Sequence, residues 1–165
     1  VQSVKTLGIS RQVWIDDVDV SATINEALTI LKGILKNVHI QKELDLLPAI
    51  YGCPGELIQV WINLIKNAAE SMLGAETPDP TVTIHAKGTD DHVIVEVSDN
   101  GPGIPEDIAD KIFEPSFTTK VSGLSFGLGL GLSIVQRIVA DHNGRIQVIS
   151  KPGRTTFTIL LPLSP

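Results

Sequence analysis

A chain of 165 residues with a single cysteine, Cys53, is long enough to bury a core as one domain and excludes a disulfide-stapled scaffold. A net charge of −6 without any cluster of Lys or Arg argues against a broad nucleic-acid or anionic-membrane surface. It leaves room for a small anion held by backbone amides and one or two cations. No metal-binding spacing links Cys53 to His39, His85, His92 or His142. The single thiol favours a reducing, cytoplasmic setting. With no apolar run near a membrane span and no N-terminal targeting pattern, a soluble domain without membrane contact is expected, within a full-length protein that a membrane segment elsewhere could anchor.

Residues 1–15 are weakly periodic and read either as the end of a longer helix or as a strand lead-in, ahead of a domain over 16–165. Ser21 is a candidate N-cap for a helix over Ala22–Asn37, in which Ile24, Ala27, Leu28, Leu31, Ile34 and Leu35 recur at helical spacing. VHIQKEL and AIYG are short strand candidates. Pro54 then opens a helix running through Met72.

That helix is apolar except for one stripe. On a wheel of ~3.6 residues per turn, Glu56, Gln59, Asn63, Lys66, Asn67 and Glu70 lie on one side. An unpaired buried amide costs about 1–3 kcal/mol, so the stripe must face something polar, whether protein or ligand.

TVTIHAKG and DHVIVEVSDNG alternate as strands around a turn at 88–91. Val93, Val95 and Val97 share a face, and the period of two puts Asp99 at the end of that row unless the strand ends at Ser98 and Asp99 makes an Asx turn. From Gly101 to Phe126 a long connection with a short amphipathic piece around Ile108–Phe113 has the character of a functional loop. It leads into Gly127, Gly129 and Gly131, alternating with Leu128, Leu130 and Leu132 before a helix. Glycines there let backbone amides approach an anion at the positive end of the helix dipole. The spacing fits neither a Walker loop nor a dinucleotide fingerprint. Asn143 or Gly144 suits a left-handed cap, and His142 reads as a last-turn residue. The chain closes as a hairpin, RIQVIS and TTFTILLPL, in which Thr155 ends the apolar row of Phe157, Ile159 and Leu161.

Taken together, the stripe helix, Asp99–Ile104, Phe113–Lys120 and Gly127–Ser133 resemble, in order and spacing, the N, G1, F and G2 boxes of the catalytic ATP-binding domain of sensor histidine kinases. The resemblance covers roughly Asp19 to Leu163. It implies an α/β two-layer sandwich, with a mixed, largely antiparallel sheet of about five strands under three helices and a mobile ATP lid near 101–127.

By the same resemblance the cofactors are ATP and magnesium. Asn67 would ligate the metal, with Asn63 and Lys66 near the phosphates. Asp99 would accept from the adenine amino group, supported by Thr155, with Gly101, Gly103 and Ile104 shaping the turn beside the base. The run Gly127, Leu128, Gly129, Leu130, Gly131 and Leu132 would line the phosphates. Phe113, Thr119 and Lys120 belong to the lid, with Lys120 reaching phosphate and Asn67 and Lys120 serving catalysis. The implied partners are a histidine-bearing dimerisation domain, of which residues 1–15 would be a remnant, and a response regulator; the isolated domain would be monomeric. No phosphoacceptor His followed by an acid on a long amphipathic helix is present. The chain departs from the family at Ser116, where a bulky apolar residue is usual, at the longer 123–126 segment, and at Arg154-Thr155 in place of Gly-Thr. The rival readings are an ATP-hydrolysing clamp or chaperone ATPase of the same superfamily, a serine kinase that inhibits a sigma factor, and a non-catalytic binding module.

Overall fold

A computed structural model describes residues 12–114 and 128–164, with 128–130 as backbone. Five strands form one sheet in the order β2 (His39–Leu44), β4 (Thr81–Gly88), β5 (His92–Asp99), β7 (Arg154–Pro162) and β6 (Arg145–Lys151). β2 runs parallel to β4 and every other pair is antiparallel. The described helices are α1 (Val20–Ile30), α2 (Pro54–Gly74) and α3 (Leu128–Asp141), with a turn of 3-10 helix at Ala109–Lys111. This is the expected mixed sheet with three helices.

Strict alternation makes the sheet one wall of the core. Val82, Ile84 and Ala86 on β4, Val93, Val95 and Val97 on β5, and Phe157, Ile159 and Leu161 on β7 are buried. Against them pack Leu57, Val60, Trp61, Leu64, Ile65, Ala68, Ala69 and Met72 of α2. Trp61 is fully buried, and its indole N–H donates to Thr23 Oγ1 at 2.8 Å, meeting the need of a buried indole for an acceptor.

Some local expectations change. α1 starts at Val20 because Asp19, not Ser21, is the cap: its carboxylate accepts the Ala22 N–H at 3.1 Å. The helix ends at Ile30 rather than Asn37, with Gly33 in the turns that follow; a mid-helix glycine costs about 1 kcal/mol relative to Ala. Leu31 and Leu35 remain buried although the backbone there is not regular helix. The strand AIYG is present as β3 (Ile50–Gly52), and it pairs antiparallel with β1 (Ile15–Val18), a strand that starts at the end of the undecided lead-in.

α3 ends in a Schellman motif. Asn143 takes the left-handed conformation (φ 58°), Gly144 N–H donates to Val139 O at 2.8 Å, and Asn143 N–H donates to Ala140 O at 2.9 Å. His142 does more than meet its own last turn. Its Nδ1–H donates to Ile138 O at 2.8 Å, while Nε2 accepts the N–H of Cys53, the N-cap of α2, at 3.0 Å. With Nε2 as acceptor the imidazole is neutral, protonated on Nδ1. Trp14 stacks on it with ring centroids 4.4 Å apart. The end of α3 is thereby fixed to the start of α2.

Candidate functional site

Three strands end their core-facing rows in polar groups, and register aligns them. Asp99 of β5 is opposite Thr155 of β7, which is opposite Ser150 of β6. The strand does not end at Ser98: Asp99 is the last residue of β5, and it makes the Asx turn as well, its Oδ1 accepting the Gly101 N–H at 2.9 Å. Burial pushes its carboxyl up to about 6, the Gly101 bond opposing only in part. Thr155 is buried and its Oγ1 lies 2.8 Å from Ser150 Oγ, which accepts the Ile104 N–H at 2.7 Å.

The turn after Asp99 is wedged between the hairpin and α2. A Cβ on Gly101 would sit 2.9 Å from Asp99 Oδ1 and 3.1 Å from Met72 Cγ. Gly103 needs its freedom twice: φ is +86°, and a Cβ would sit 2.6 Å from the Lys151 carbonyl oxygen. Gly153 takes the left-handed position of the hairpin turn (φ +89°) and its N–H donates to Gly101 O at 3.0 Å. With that position filled by Gly153, residue 154 can be the exposed Arg154. Asn100 fixes the turn from the other side: Oδ1 accepts the Thr81 N–H at 2.8 Å and Nδ2 donates to Asp79 O at 3.0 Å.

The stripe of α2 faces α3. Glu56 pairs with Arg137 at 3.6 Å. Gln59 Nε2 donates to Asn63 Oδ1 at 2.7 Å, and Asn63 Nδ2 donates to Gly131 O at 3.0 Å. Asn63 is thus held by protein at both ends of its amide. Asn67, one turn on, differs: it is 8% exposed, and its Nδ2 has no hydrogen-bond partner among the described residues. A Cβ on Gly131 would lie 3.7 Å from that nitrogen, so a glycine leaves space there. Ser71, a further turn along, lies beside Gly101. Asn63, Asn67 and Ser71 therefore make one ladder on α2, running from the glycine end of α3 to the Asp99 turn.

Some expected residues fall elsewhere. Lys66 is exposed, and Leu132 is a core side chain at 1% exposure whose contribution to a ligand could come only from backbone. Gly129 and Gly131 lie inside the first turns of α3 rather than ahead of it. The connection expected as a lid begins docked: Ile112 is fully buried, and Phe113 meets Phe157 edge-on with ring centroids 6.5 Å apart. Ile104 packs on the core. Ser116, Thr119, Lys120 and Gly127 lie outside the described residues. Ser150 was not among the residues expected to shape the site, and Gln59 was expected only as a member of the polar stripe. The signal for Ser150 lay in the alternation Ile146, Val148, Ser150, a third apolar row ending in a polar group.

Residues 52–165 match the family described as histidine kinase-, DNA gyrase B-, and HSP90-like ATPase. The chain belongs to this family. Among relatives of this ATPase domain, the sensory histidine kinase/phosphatase NtrB of Rhizobium leguminosarum bv. phaseoli is 37% identical over 147 residues, covering 80% of the chain and 37% of the relative. The chain therefore spans little more than a third of the length of that relative. The catalytic domain of the histidine kinase ThkA is similar in structure, with a TM-score of 0.77 and 29% identity over 93% of this chain and 99% of that one. Full-length ShkA in complex with AMPPNP gives a TM-score of 0.73 and 28% identity, over 88% of this chain and 30% of that one. These named relatives favour the histidine-kinase branch of the family over its gyrase and chaperone branches. Among the described residues no helix is long and apolar enough to cross a membrane.

Proposed function

We propose that residues 16–165 form the ATP-binding catalytic domain of a two-component sensor histidine kinase, with a lid over 101–127. It would present the γ-phosphate of ATP to a histidine on a separate dimerisation domain, from which phosphate passes to a response regulator. The observation that carries this reading is Asn67, a buried amide nitrogen without a partner among the described residues, beside the space left by Gly131. A native domain seldom tolerates such a group unless a ligand completes it. The orphaned nitrogen is an N–H donor that a phosphate oxygen would complete, while the oxygen of the same amide suits magnesium, a hard cation that keeps several waters and takes further oxygens from phosphate. Among the described residues no group of three or more His, Cys, Asp and Glu could hold a metal, so a cation here would arrive with the nucleotide's oxygens.

In this reading Asn67 holds the magnesium, Asn63 is kept in place by Gln59 and Gly131, and Asp99 accepts from the adenine amino group. Lys120 and Thr119 act from the lid, and Lys66 adds charge at the rim. Magnesium would neutralise phosphate charge, and the chain's own contribution is to orient the nucleotide and exclude water around it. The isolated domain is monomeric and cytoplasmic in this account, whether or not the whole kinase is membrane-anchored.

The test is incubation with labelled ATP and magnesium, with and without a separately produced histidine-bearing dimerisation fragment. Acid-labile phosphate on that fragment, absent with Asn67→Ala, is the expected result. Rapid ATP turnover by the chain alone would overturn the kinase reading in favour of a clamp-type ATPase.

A further inference from the structure

Ser150 occupies a junction that the proposed adenine contacts leave unexplained. It ends the core-facing row of β6, pairs in register with Thr155, and touches the connection that follows Asp99. A hydroxyl has one proton to give and two lone pairs. One lone pair of Ser150 Oγ is taken by the Ile104 N–H at 2.7 Å, and the Thr155 hydroxyl lies 2.8 Å away. An oxygen that accepts a hydrogen bond becomes a better donor, because hydrogen bonds in a chain polarise one another. The favoured direction is therefore Ile104 N–H to Ser150 oxygen, and Ser150 O–H to Thr155 oxygen. The Thr155 proton is left to point at a ligand.

We infer that Ser150 is a positioning residue that makes Thr155 a hydrogen-bond donor toward the base and ties that donor to the backbone of the connection after Asp99, at Ile104. This rests on the proposed adenine site. Asp99 ionised is an acceptor and Thr155 so held is a donor, side by side on neighbouring strands. The pair matches an exocyclic amino group flanked by a ring nitrogen with a lone pair. In adenine two nitrogens flank the amino group, N1 and N7. Guanine would instead set a carbonyl oxygen against the carboxylate, a mismatch that leaves both groups unsatisfied.

The test compares the affinity of the 165-residue chain for ATP, 1-deaza-ATP and 7-deaza-ATP in the presence of magnesium. One of the two analogues, lacking the acceptor that Thr155 addresses directly or through a water, should bind about threefold to tenfold more weakly than ATP, the span of one net hydrogen bond. In Ser150→Ala that ratio should fall toward one, and in Ser150→Thr, which restores a hydroxyl, it should return. Thr155→Val provides a second route to the same loss should Ser150→Ala fold poorly. A Ser150→Ala chain that binds every nucleotide more weakly but keeps the ratio would reduce Ser150 to a structural residue and overturn the relay. So would an unmodified chain that binds ATP yet distinguishes neither analogue. No ATP binding by the unmodified chain would remove the adenine site itself, a failure separable from that of the relay.

Discussion

Asp99 and Thr155 are direct cross-strand partners, a carboxyl and a hydroxyl closing adjacent core-facing rows. The carboxyl is held up to about 6 by burial. Ionised Asp99 is thus the costly form in the ligand-free chain. Between pH 3.8, its ordinary value, and about 6 the folded state binds more protons than the unfolded. From this group alone, stability rises as pH falls through that window. Nucleotide affinity should move the other way. An amino group donating to the carboxylate favours the ionised form, so the contribution is full above about pH 6 and is lost below it. Denaturant unfolding from about pH 4 to 6.5 checks the first sign, and calorimetric titration with ADP from about pH 5 to 7.5 checks the second. Subtracting the profile of Asp99→Asn cancels the titration of the phosphates, and the remaining fall should approach tenfold per pH unit at most.

Gly103 should be intolerant of any side chain. Its positive φ and the nearness of the Lys151 carbonyl predict that Gly103→Ala destabilises by about 1–3 kcal/mol. Chemical denaturation measures it. Gly153→Ala is the instructive comparison, since φ is again positive but nothing lies within 4 Å of its Cβ; the loss there should be smaller, about 1 kcal/mol.

His142 joins two helix ends through a neutral ring, so its removal should unsettle the fold rather than the ligand contacts. His142→Ala leaves the Cys53 N–H without its acceptor and opens a cavity under Trp14. A loss of about 2–4 kcal/mol is expected in denaturant unfolding. At temperatures where the variant is folded, its nucleotide affinity should stay within about twofold of the parent, less than one net hydrogen bond.

Gly131 separates stability from binding. A methyl there meets only ordinary van der Waals distances, the nearest being Asn67 Nδ2 at 3.7 Å. Gly131→Ala should leave the melting temperature unchanged or raise it, since Ala is the better helix residue by about 0.5–1 kcal/mol. It should weaken magnesium-dependent ATP binding about tenfold or more by occupying space beside Asn67, the equivalent of about 1.4 kcal/mol. Thermal melts and titrations on one preparation decide it.

Much of this was legible from residue order because patterns of period two and 3.6 report directly on burial. Val93, Val95 and Val97 placed Asp99, and Phe157, Ile159 and Leu161 placed Thr155, since each row must face the core. The stripe on α2 announced a polar neighbour but could not say which, because that depends on α3 arriving from some seventy residues away in sequence. The cap of α1 was missed because Asp19 and Ser21 are both good caps, and the choice rests on which carbonyls and amides the turn presents. The bond from His142 to Cys53 joins two segments with no local signal of their meeting. Ser150 was readable in the alternation of β6. Its partners were not, since they come from a hairpin register and a loop.

The most direct measurement concerns Asn67. A buried amide nitrogen with no partner among the described residues costs the ligand-free fold rather than stabilising it, and Ala is the stronger helix former. Asn67→Ala should therefore match or exceed the parent in thermal stability without nucleotide while losing magnesium-dependent ATP binding and the stabilisation that ATP confers. Retained magnesium-dependent affinity in a folded Asn67→Ala chain would contradict the account, because the stripe on α2 would then not be the wall of a nucleotide site.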